Sequence, residues 1–269
     1  NQSMPVLTEG DLVLVDWLPW NHTFGGNHNF GIVLYNGGTL YLDEGKPTPQ
    51  GMAETIRNLR EIAPTIYFNV PTGFEAIAHA MRQDEVLRRN LLSRVRMFFY
   101  AGAALAQPVW DTLHSVQEQA IGERVVMGTG LGMTEPGPFG IFITRPEVKS
   151  GDLGLPAPGL ELKLVPSGDK VEVRYRGPNI TPGYWRSPEA TAEAFDEEGF
   201  FCTGDAVTWI DPAQPVDTGH DDREERDRER HYHLRHPVVE PHGDQGGDGE
   251  DRDGLAGHQP RVERQLEDA

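Results

Sequence analysis

The stretch "RVVMGTGLGMTE", residues 124–135, decides the fold. Val125, Val126 and Met127 make an apolar run of strand type, and Gly128, Gly130 and Gly132 break it into a turn. Upstream, "QPVWDTLHSVQEQA" reads as an amphipathic helix, and "VRMFFYAGAA" before it as a buried strand running into a small-residue turn. The alternation continues toward the N-terminus. "EVLRRNLLSR" and "TGFEAIAHAMRQ" read as helices, and "TIYFNV" as a strand closed by Pro71. "TPQGMAETIRNLREIAPT" carries Met52, Ile56, Leu59, Ile62 and Ala63 at helical spacing and stops at Pro64. "GIVLYNGGTLYLDEG" holds a turn at Gly37 and Gly38 followed by a strand through Leu42, and "LVLVDWLPW" reads as a buried strand ending at Pro19. Strands alternating with helices predict an α/β fold, a parallel sheet with flanking helices and with sites at the strand ends.

Downstream the texture changes. "LELKLVPSGDKVEVRYRG" predicts a hairpin around Ser167, Gly168 and Asp169, with period-two alternation in Val171, Val173 and Tyr175. "FFCTGDAVTWID" is a further strand, and the helix signal shrinks to 188–195. The expected organisation is an α/β unit over 1–150, a small antiparallel, barrel-like β unit over 151–215, and a tail over 216–269. From Asp217 onward there is no Lys, Phe, Ile, Met, Trp or Cys. Such a tail buries too little apolar area to offset its ordering entropy, so it is expected to be disordered. Its Arg, Asp, His and Gly bias also fits an out-of-frame reading of a GC-rich gene, and a natural acidic extension fits equally.

The 269 residues carry a net charge of -18, which disfavours nucleic acid as a partner. No apolar run reaches the roughly 18 residues of a membrane span. The single cysteine, Cys202, excludes an internal disulfide and suits a cytoplasmic enzyme. Asn1 opens the chain with no charged-then-apolar leader, so no signal peptide is expected and the sequence is read as starting inside a longer protein.

Several stretches carry chemistry. In "GTGLGMTEPGP" the glycines let the backbone approach a bulky ligand, Thr134 offers a hydroxyl to a phosphate, and Glu135 offers a hard oxygen suited to Mg²⁺. A surface turn with an incidental Thr-Glu pair fits as well. No Lys follows the glycines, so this is not the lysine-bearing phosphate loop. "YAGAALA" could admit a flat ring or serve as a packing corner. "FFCTGDA" places Asp205 after a glycine, where a carboxylate accepts from ribose hydroxyls or is merely an exposed turn. "WNHTFGGNHNFG" raises a metal site, a phosphate loop or a pocket wall. The phosphate loop fails because no Lys or hydroxyl follows the glycine pair. The spacing of His22 and His28 suits no shared helix face, and no Cys or carboxylate joins them, which leaves the pocket wall, with Asn27 and Asn29 bonding the turn. Cys202 is read as a small buried residue, His79 and His114 as helix residues without a role, and His231, His233 and His236 as a cluster with no scaffold.

In this order, "YAGAALAQPVW", "GLGMTE", "GDLGLPAPGLELKLV" and "RGPNITPGYWRSPEATAEAFDEEGFFCTGD" resemble the adenylate-forming superfamily of acyl- and aryl-CoA synthetases. "WLPWNHTFGGNHNFG" and "LYNGGTLYLDEGKPT" are most similar to its feruloyl-CoA synthase branch, and the resemblance covers about 10–212. It implies an ATP-dependent ligase that joins an aryl carboxylate such as ferulate to AMP and then to coenzyme A, with Mg²⁺ and without membrane or nucleic acid. A fatty or other acid, or a catalytically dead nucleotide-binding or interaction remnant, is the alternative. A carboxylate is already ionised near pH 7, so the work is positioning and charge neutralisation.

By family position, Thr134 contacts the α-phosphate and Glu135 holds Mg²⁺. Gly102, Ala103, Gly132 and Met133 border the adenine, and Asp205 binds the ribose. His22 faces the carboxylate and the thiol entry, and Phe24 and Tyr100 line the aryl pocket. Leu131 stands where many members place a Tyr on the adenine. The family's lysine-containing phosphate loop, Gly-Arg hinge and catalytic Lys are not recognisable in these residues, so negligible full turnover is expected of them.

Overall fold

Proline and short polar side chains set the ends of most elements. In the computed structural model, which describes residues 4–143, 149–168, 170–209 and 234–235, the chain opens with a short 3₁₀ turn (Pro5–Thr8) and strand β1 (Val13–Asp16). β1 is shorter than the apolar run predicts. The Asp16 side chain turns back to accept from the Leu18 backbone N–H at 3.1 Å, an Asx turn that leaves the ladder before Pro19. A π-helix (Phe24–Phe30) then runs directly into α1 (Gly31–Asn36), and β2 (Thr39–Leu42) returns parallel to β1, with Val13 opposite Thr39.

Helix α2 (Pro49–Leu59) starts where Thr48 Oγ1 accepts from the Gly51 N–H at 3.2 Å, with Pro49 in the first turn where no N–H is needed. β3 (Ile66–Asn69) is followed by α3 (Pro71–Gln83), and by α4 (Glu85–Leu92), which Asp84 caps by accepting from the Leu87 N–H at 3.0 Å. β4 (Met97–Tyr100), α5 (Gln107–Ile121) and β5 (Val126–Leu131) complete the α/β part. β3, β4 and β5 pair in parallel, with Ile66 beside Met97 and Met97 beside Val126.

The expected parallel sheet and antiparallel unit are both present, and they are one mixed sheet. β6 (Ile141–Phe142) pairs antiparallel with β5, and β7 (Asp152–Pro156) with β6. The hairpin β8 (Glu161–Ser167) and β9 (Lys170–Arg176) is joined, after α6 (Pro188–Ala194), by β10 (Phe201–Trp209) and β11 (Leu234–Arg235). The strand order is β3-β4-β5-β6-β7-β11-β10-β9-β8.

Alternation along β4 sorts the core onto two faces. Met97 and Phe99 pack with Leu14, Phe24 and Phe68, while Phe98 and Tyr100 pack with Phe74, Trp110 and the helices α3 to α5. A third cluster, with Ile141, Leu153, Val173 and Tyr175, fills the β unit. Among the described residues no helix is long and apolar enough to cross a membrane. The predicted tail over 216–269 lies, apart from Leu234 and Arg235, outside the described residues, and so do His231, His233 and His236.

Candidate functional site

The candidate site gathers at the carboxyl ends of β4 and β5, the edge where parallel sheets bind ligands. Past β4 the chain turns at Gly102, at φ 91, and Gly102 and Ala103 are exposed while Leu105 beneath them is buried. Past β5, residues 131–140 close a loop. The Gly140 N–H donates to the Leu131 carbonyl at 3.1 Å, and the Gly137 N–H to the Thr134 carbonyl at 3.1 Å. Gly132 is required by close approach, because a Cβ there would run into the Pro138 carbonyl. The loop leaves Thr134 exposed and Glu135 half-buried.

The segment between β9 and α6 holds this loop from the other side. The Thr181 N–H donates to the Glu135 carbonyl at 2.8 Å, and Asn179 Nδ2 donates to the Pro136 and Phe139 carbonyls at 2.8 and 3.1 Å. The Tyr184 hydroxyl donates to Glu135 Oε1 at 2.9 Å. Burial and the Glu135 carboxylate push the Tyr184 hydroxyl up to about 12. Sequence reasoning did not find Asn179, Thr181 and Tyr184 as loop ligands. They lie in "RGPNITPGYW", whose Asn, Thr and Tyr between glycines and prolines are the available signal.

Asp205 sits on a bulge. The β9–β10 register shifts between Cys202 and Ala206, which re-aims the intervening side chains. The Thr203 hydroxyl donates to the Val173 carbonyl at 2.5 Å, and the Asp205 N–H donates to Thr203 Oγ1 at 3.0 Å. The same bulge faces Tyr175, whose hydroxyl is raised by burial and then by the Asp205 charge. The Tyr175 hydroxyl lies where a Cβ on Gly140 would meet it at 2.9 Å, so Asp205 shares a neighbour with the base of the 131–140 loop. Among the described residues no group of three or more His, Cys, Asp or Glu could hold a metal ion by itself. A single carboxylate such as Glu135 suits Mg²⁺ that arrives with phosphates, because Mg²⁺ keeps most of its shell as water and substrate oxygen.

The pocket-wall stretch divides by role. His22 is exposed, and its Nδ1 accepts from the Phe24 N–H at 3.2 Å at the start of the π-helix. Phe24 is buried against Phe68 and Phe99, both at 6.2 Å between ring centroids. The glycine pair lets the π-helix sit on the preceding loop, since a Cβ on Gly25 would meet the Leu18 and Pro19 carbonyls at 2.6 and 2.5 Å. Asn27 bonds the turn as expected, donating to Thr23 Oγ1 at 3.2 Å.

Asn29 does more than bond the turn. It is fully buried; its Nδ2 donates to Asp16 Oδ2 at 3.0 Å, and its Oδ1 lies 2.7 Å from His28 Nδ1. His28 is 2% exposed, and its Nε2 has no hydrogen-bond partner. Burial lowers His28 to about 4 and raises Asp16 to about 6. His28 lines a cavity of ≈ 550 Å³ with Ile32, Tyr35, Phe139, Phe142 and Pro178.

Alternation along β4 sorts Tyr100 away from Phe99. The Tyr100 ring is 1% exposed and packs edge-on to Trp110 at 5.7 Å on the helix side of the sheet. Phe24 lies with Phe99 on the opposite face, so the structure does not bring Tyr100 and Phe24 to one pocket. A larger depression of ≈ 960 Å³, lined by Arg82, Arg88, Arg89 and Asp111 between α3, α4 and α5, holds none of the candidate residues.

The family described as AMP-binding enzyme matches residues 2–185. A feruloyl-CoA synthase of Amycolatopsis sp is 33% identical over 184 residues, covering 65% of this chain and 34% of that protein. An anthranilate–CoA ligase of Pseudomonas aeruginosa is 29% identical over 192 residues, covering 68% of this chain and 33% of that protein. A solved malonyl-CoA ligase, a ternary product complex with methylmalonyl-CoA and AMP bound, is 31% identical with a TM-score of 0.62, covering 79% of this chain and 45% of its own. The chain thus spans about a third of the length of these two curated relatives.

Proposed function

Because this chain belongs to the AMP-binding enzyme family, we propose that it carries part of the nucleotide and acid sites of an ATP-dependent acid–CoA ligase acting on an aryl carboxylate. The observation that carries this reading is the 131–140 loop, closed on itself and held at Glu135 by Thr181 and Tyr184. In this reading 1–150 is a partial nucleotide-binding α/β unit, 151–215 a β subdomain that braces it, and 216–269 an acidic tail. Gly102, Ala103, Gly132 and Met133 border the adenine, Thr134 donates to the α-phosphate, and Asp205 accepts from the ribose hydroxyls. Phe24 backs the acid pocket, and His22, exposed beside it, serves the carboxylate and the thiol entry.

The substrate carboxylate oxygen forms a bond to the α-phosphorus, and the bond from that phosphorus to the bridging oxygen breaks. Pyrophosphate leaves with the electron pair. The thiol of coenzyme A then takes the acyl group, and AMP leaves. No general base is needed for the first step, because the carboxylate is ionised near pH 7. Glu135 would hold Mg²⁺, which when bound neutralises phosphate charge. Thr134 and the loop backbone orient the phosphate, and the glycines keep side chains out of its approach.

Calorimetry with AMP tests this. The 269-residue chain is expected to bind AMP saturably, with Thr134→Ala and Asp205→Ala each weakening it about tenfold, the loss of a hydrogen bond to a charged or polar partner. Absence of AMP binding by a folded chain sinks the reading. A pyrophosphate-release assay with ferulate or a fatty acid, run on an intact parent enzyme that contains this chain, then ranks the aryl class against the aliphatic one.

A further inference from the structure

His28 lines the ≈ 550 Å³ cavity, with Nδ1 engaged by Asn29 and a buried Nε2 that has no hydrogen-bond partner. Asp16 receives two N–H groups, from Leu18 and from Asn29, as a carboxylate does. Asn29 has therefore committed its amide N–H₂ to Asp16 and turns its oxygen to His28. An oxygen at 2.7 Å requires the proton on His28 Nδ1, which leaves Nε2 as a bare acceptor. The ring cannot turn to change this. It stacks on Phe99 at 5.7 Å, stands edge-on to Phe68 at 5.0 Å, and touches Phe139 at 4.8 Å.

Resting on the acid–CoA ligase reading above, we propose that His28 selects the acid. Its Nε2 accepts a hydrogen bond from a hydroxyl or amino group on the ring of an aromatic carboxylate, and Asp16 and Asn29 are positioning residues that fix this polarity. The cavity offers flat apolar walls in Phe139, Phe142 and Pro178, and it is lined by no charged side chain. A ring with one donor satisfies the orphaned nitrogen. A dicarboxylate would set a second anion against a lone pair with no counter-charge, which burial makes costly. The preference is thus for hydroxy- or amino-aryl acids over malonate-like ones. Burial also keeps His28 neutral near pH 7.

Two measurements on the intact 269-residue chain test this. The first needs no variant: long-range ¹H–¹⁵N spectra of histidine-labelled protein are expected to show His28 protonated at Nδ1 and bare at Nε2. Asp16→Asn should reverse it. The new side chain keeps an oxygen for the Leu18 N–H and presents an N–H to Asn29, so the Asn29 amide flips and the proton moves to Nε2. A purely structural role would not move that signal.

The second is calorimetry with 4-hydroxycinnamate, cinnamate and malonate in the presence of AMP. The hydroxylated acid is expected to bind about five- to tenfold tighter than cinnamate, and malonate not at all. His28→Phe should erase the hydroxyl preference while keeping AMP binding. Asp16→Asn should reduce it without erasing it, because Nε2–H then donates to the phenol oxygen and the phenol O–H loses its acceptor. AMP and cinnamate binding without any hydroxyl preference, or a preference that survives in His28→Phe, overturns the His28 assignment alone. Failure of AMP and every acid to bind overturns the ligase reading and this assignment with it.

Discussion

The Tyr184 hydroxyl donates to Glu135 Oε1 across 2.9 Å, although the two residues are 49 apart in sequence. The carboxylate read as the Mg²⁺ ligand is therefore aimed by the segment that follows β9. Tyr184→Phe removes the donor and keeps the ring. Expected is a roughly three- to tenfold weaker affinity for Mg²⁺–ATP, with little change for AMP without the metal, as for one hydrogen bond to a half-buried charge. Paired titrations with and without Mg²⁺ check it, and equal losses in both would show that Tyr184 only braces the loop.

Asp16 and His28 predict opposed pH effects. Burial raises Asp16 from 3.8 to about 6, so at pH 5 the folded state holds a proton that the unfolded state has released. Raising the pH through this window therefore favours unfolding. Burial lowers His28 from 6.5 to about 4, so at pH 5 the unfolded state holds the extra proton and raising the pH favours folding. Each effect amounts to about 1.4 kcal/mol per pH unit, and in the wild type they cancel between about 4 and 6. Urea unfolding across this range should show Asp16→Asn gaining stability relative to wild type as pH rises, and His28→Gln losing it. Parallel curves for all three proteins would refute the pairing.

Gly132→Ala places a methyl against the Pro138 carbonyl, backbone that cannot step aside without opening the loop. A cost of about 1–3 kcal/mol is expected from such overpacking, together with loss of AMP binding. Gly137→Ala meets nothing within 4 Å and differs only by its φ of 68, so it should cost about 1–2 kcal/mol and leave AMP affinity close to wild type. Chemical denaturation and calorimetry on the two variants separate close approach from backbone strain.

Phe24 and Tyr100 should part in function because they lie on opposite faces of the sheet. Tyr100→Phe is expected to lose about 1 kcal/mol with its buried hydroxyl bond to Thr129 and to leave acid binding unchanged. Phe24→Leu should weaken aryl-acid binding severalfold. If Tyr100→Phe weakens the acid by as much, the two-face assignment is wrong.

Much of this architecture is legible from local chemistry. Pro49, Pro71, Pro108 and Pro188 all stand in first helical turns, and the β3, β4 and β5 segments announce themselves as short apolar runs between helices. Less legible is what depends on distant partners. β6 spans only Ile141–Phe142, too short for any period, yet it turns the parallel sheet into a mixed one. Tyr100 shows the limit within a strand. The run "MFFY" is apolar at every position, so its alternation is invisible until neighbours sort Phe99 from Tyr100. At the site, the glycine-rich turn follows from residue type, while the bulge between Cys202 and Ala206 shows only in the register with β9. The polar chain from Asp16 through Asn29 to His28 does not follow from residue type either, because it joins a strand end to a π-helix with no repeating spacing.

Asp16 carries two duties on one carboxylate. Oδ1 ends a strand by accepting from Leu18, and Oδ2 orients the amide that polarises a histidine. Evolution cannot adjust one of these separately from the other by most routes, since Ala, Ser or Glu would disturb both. Asparagine is the exception, reached by a single nucleotide change. It preserves the strand end and inverts the polarity of the cavity floor. A lineage with this fold therefore has one narrow passage between substrates that donate and substrates that accept, and it lies at a residue no substrate touches.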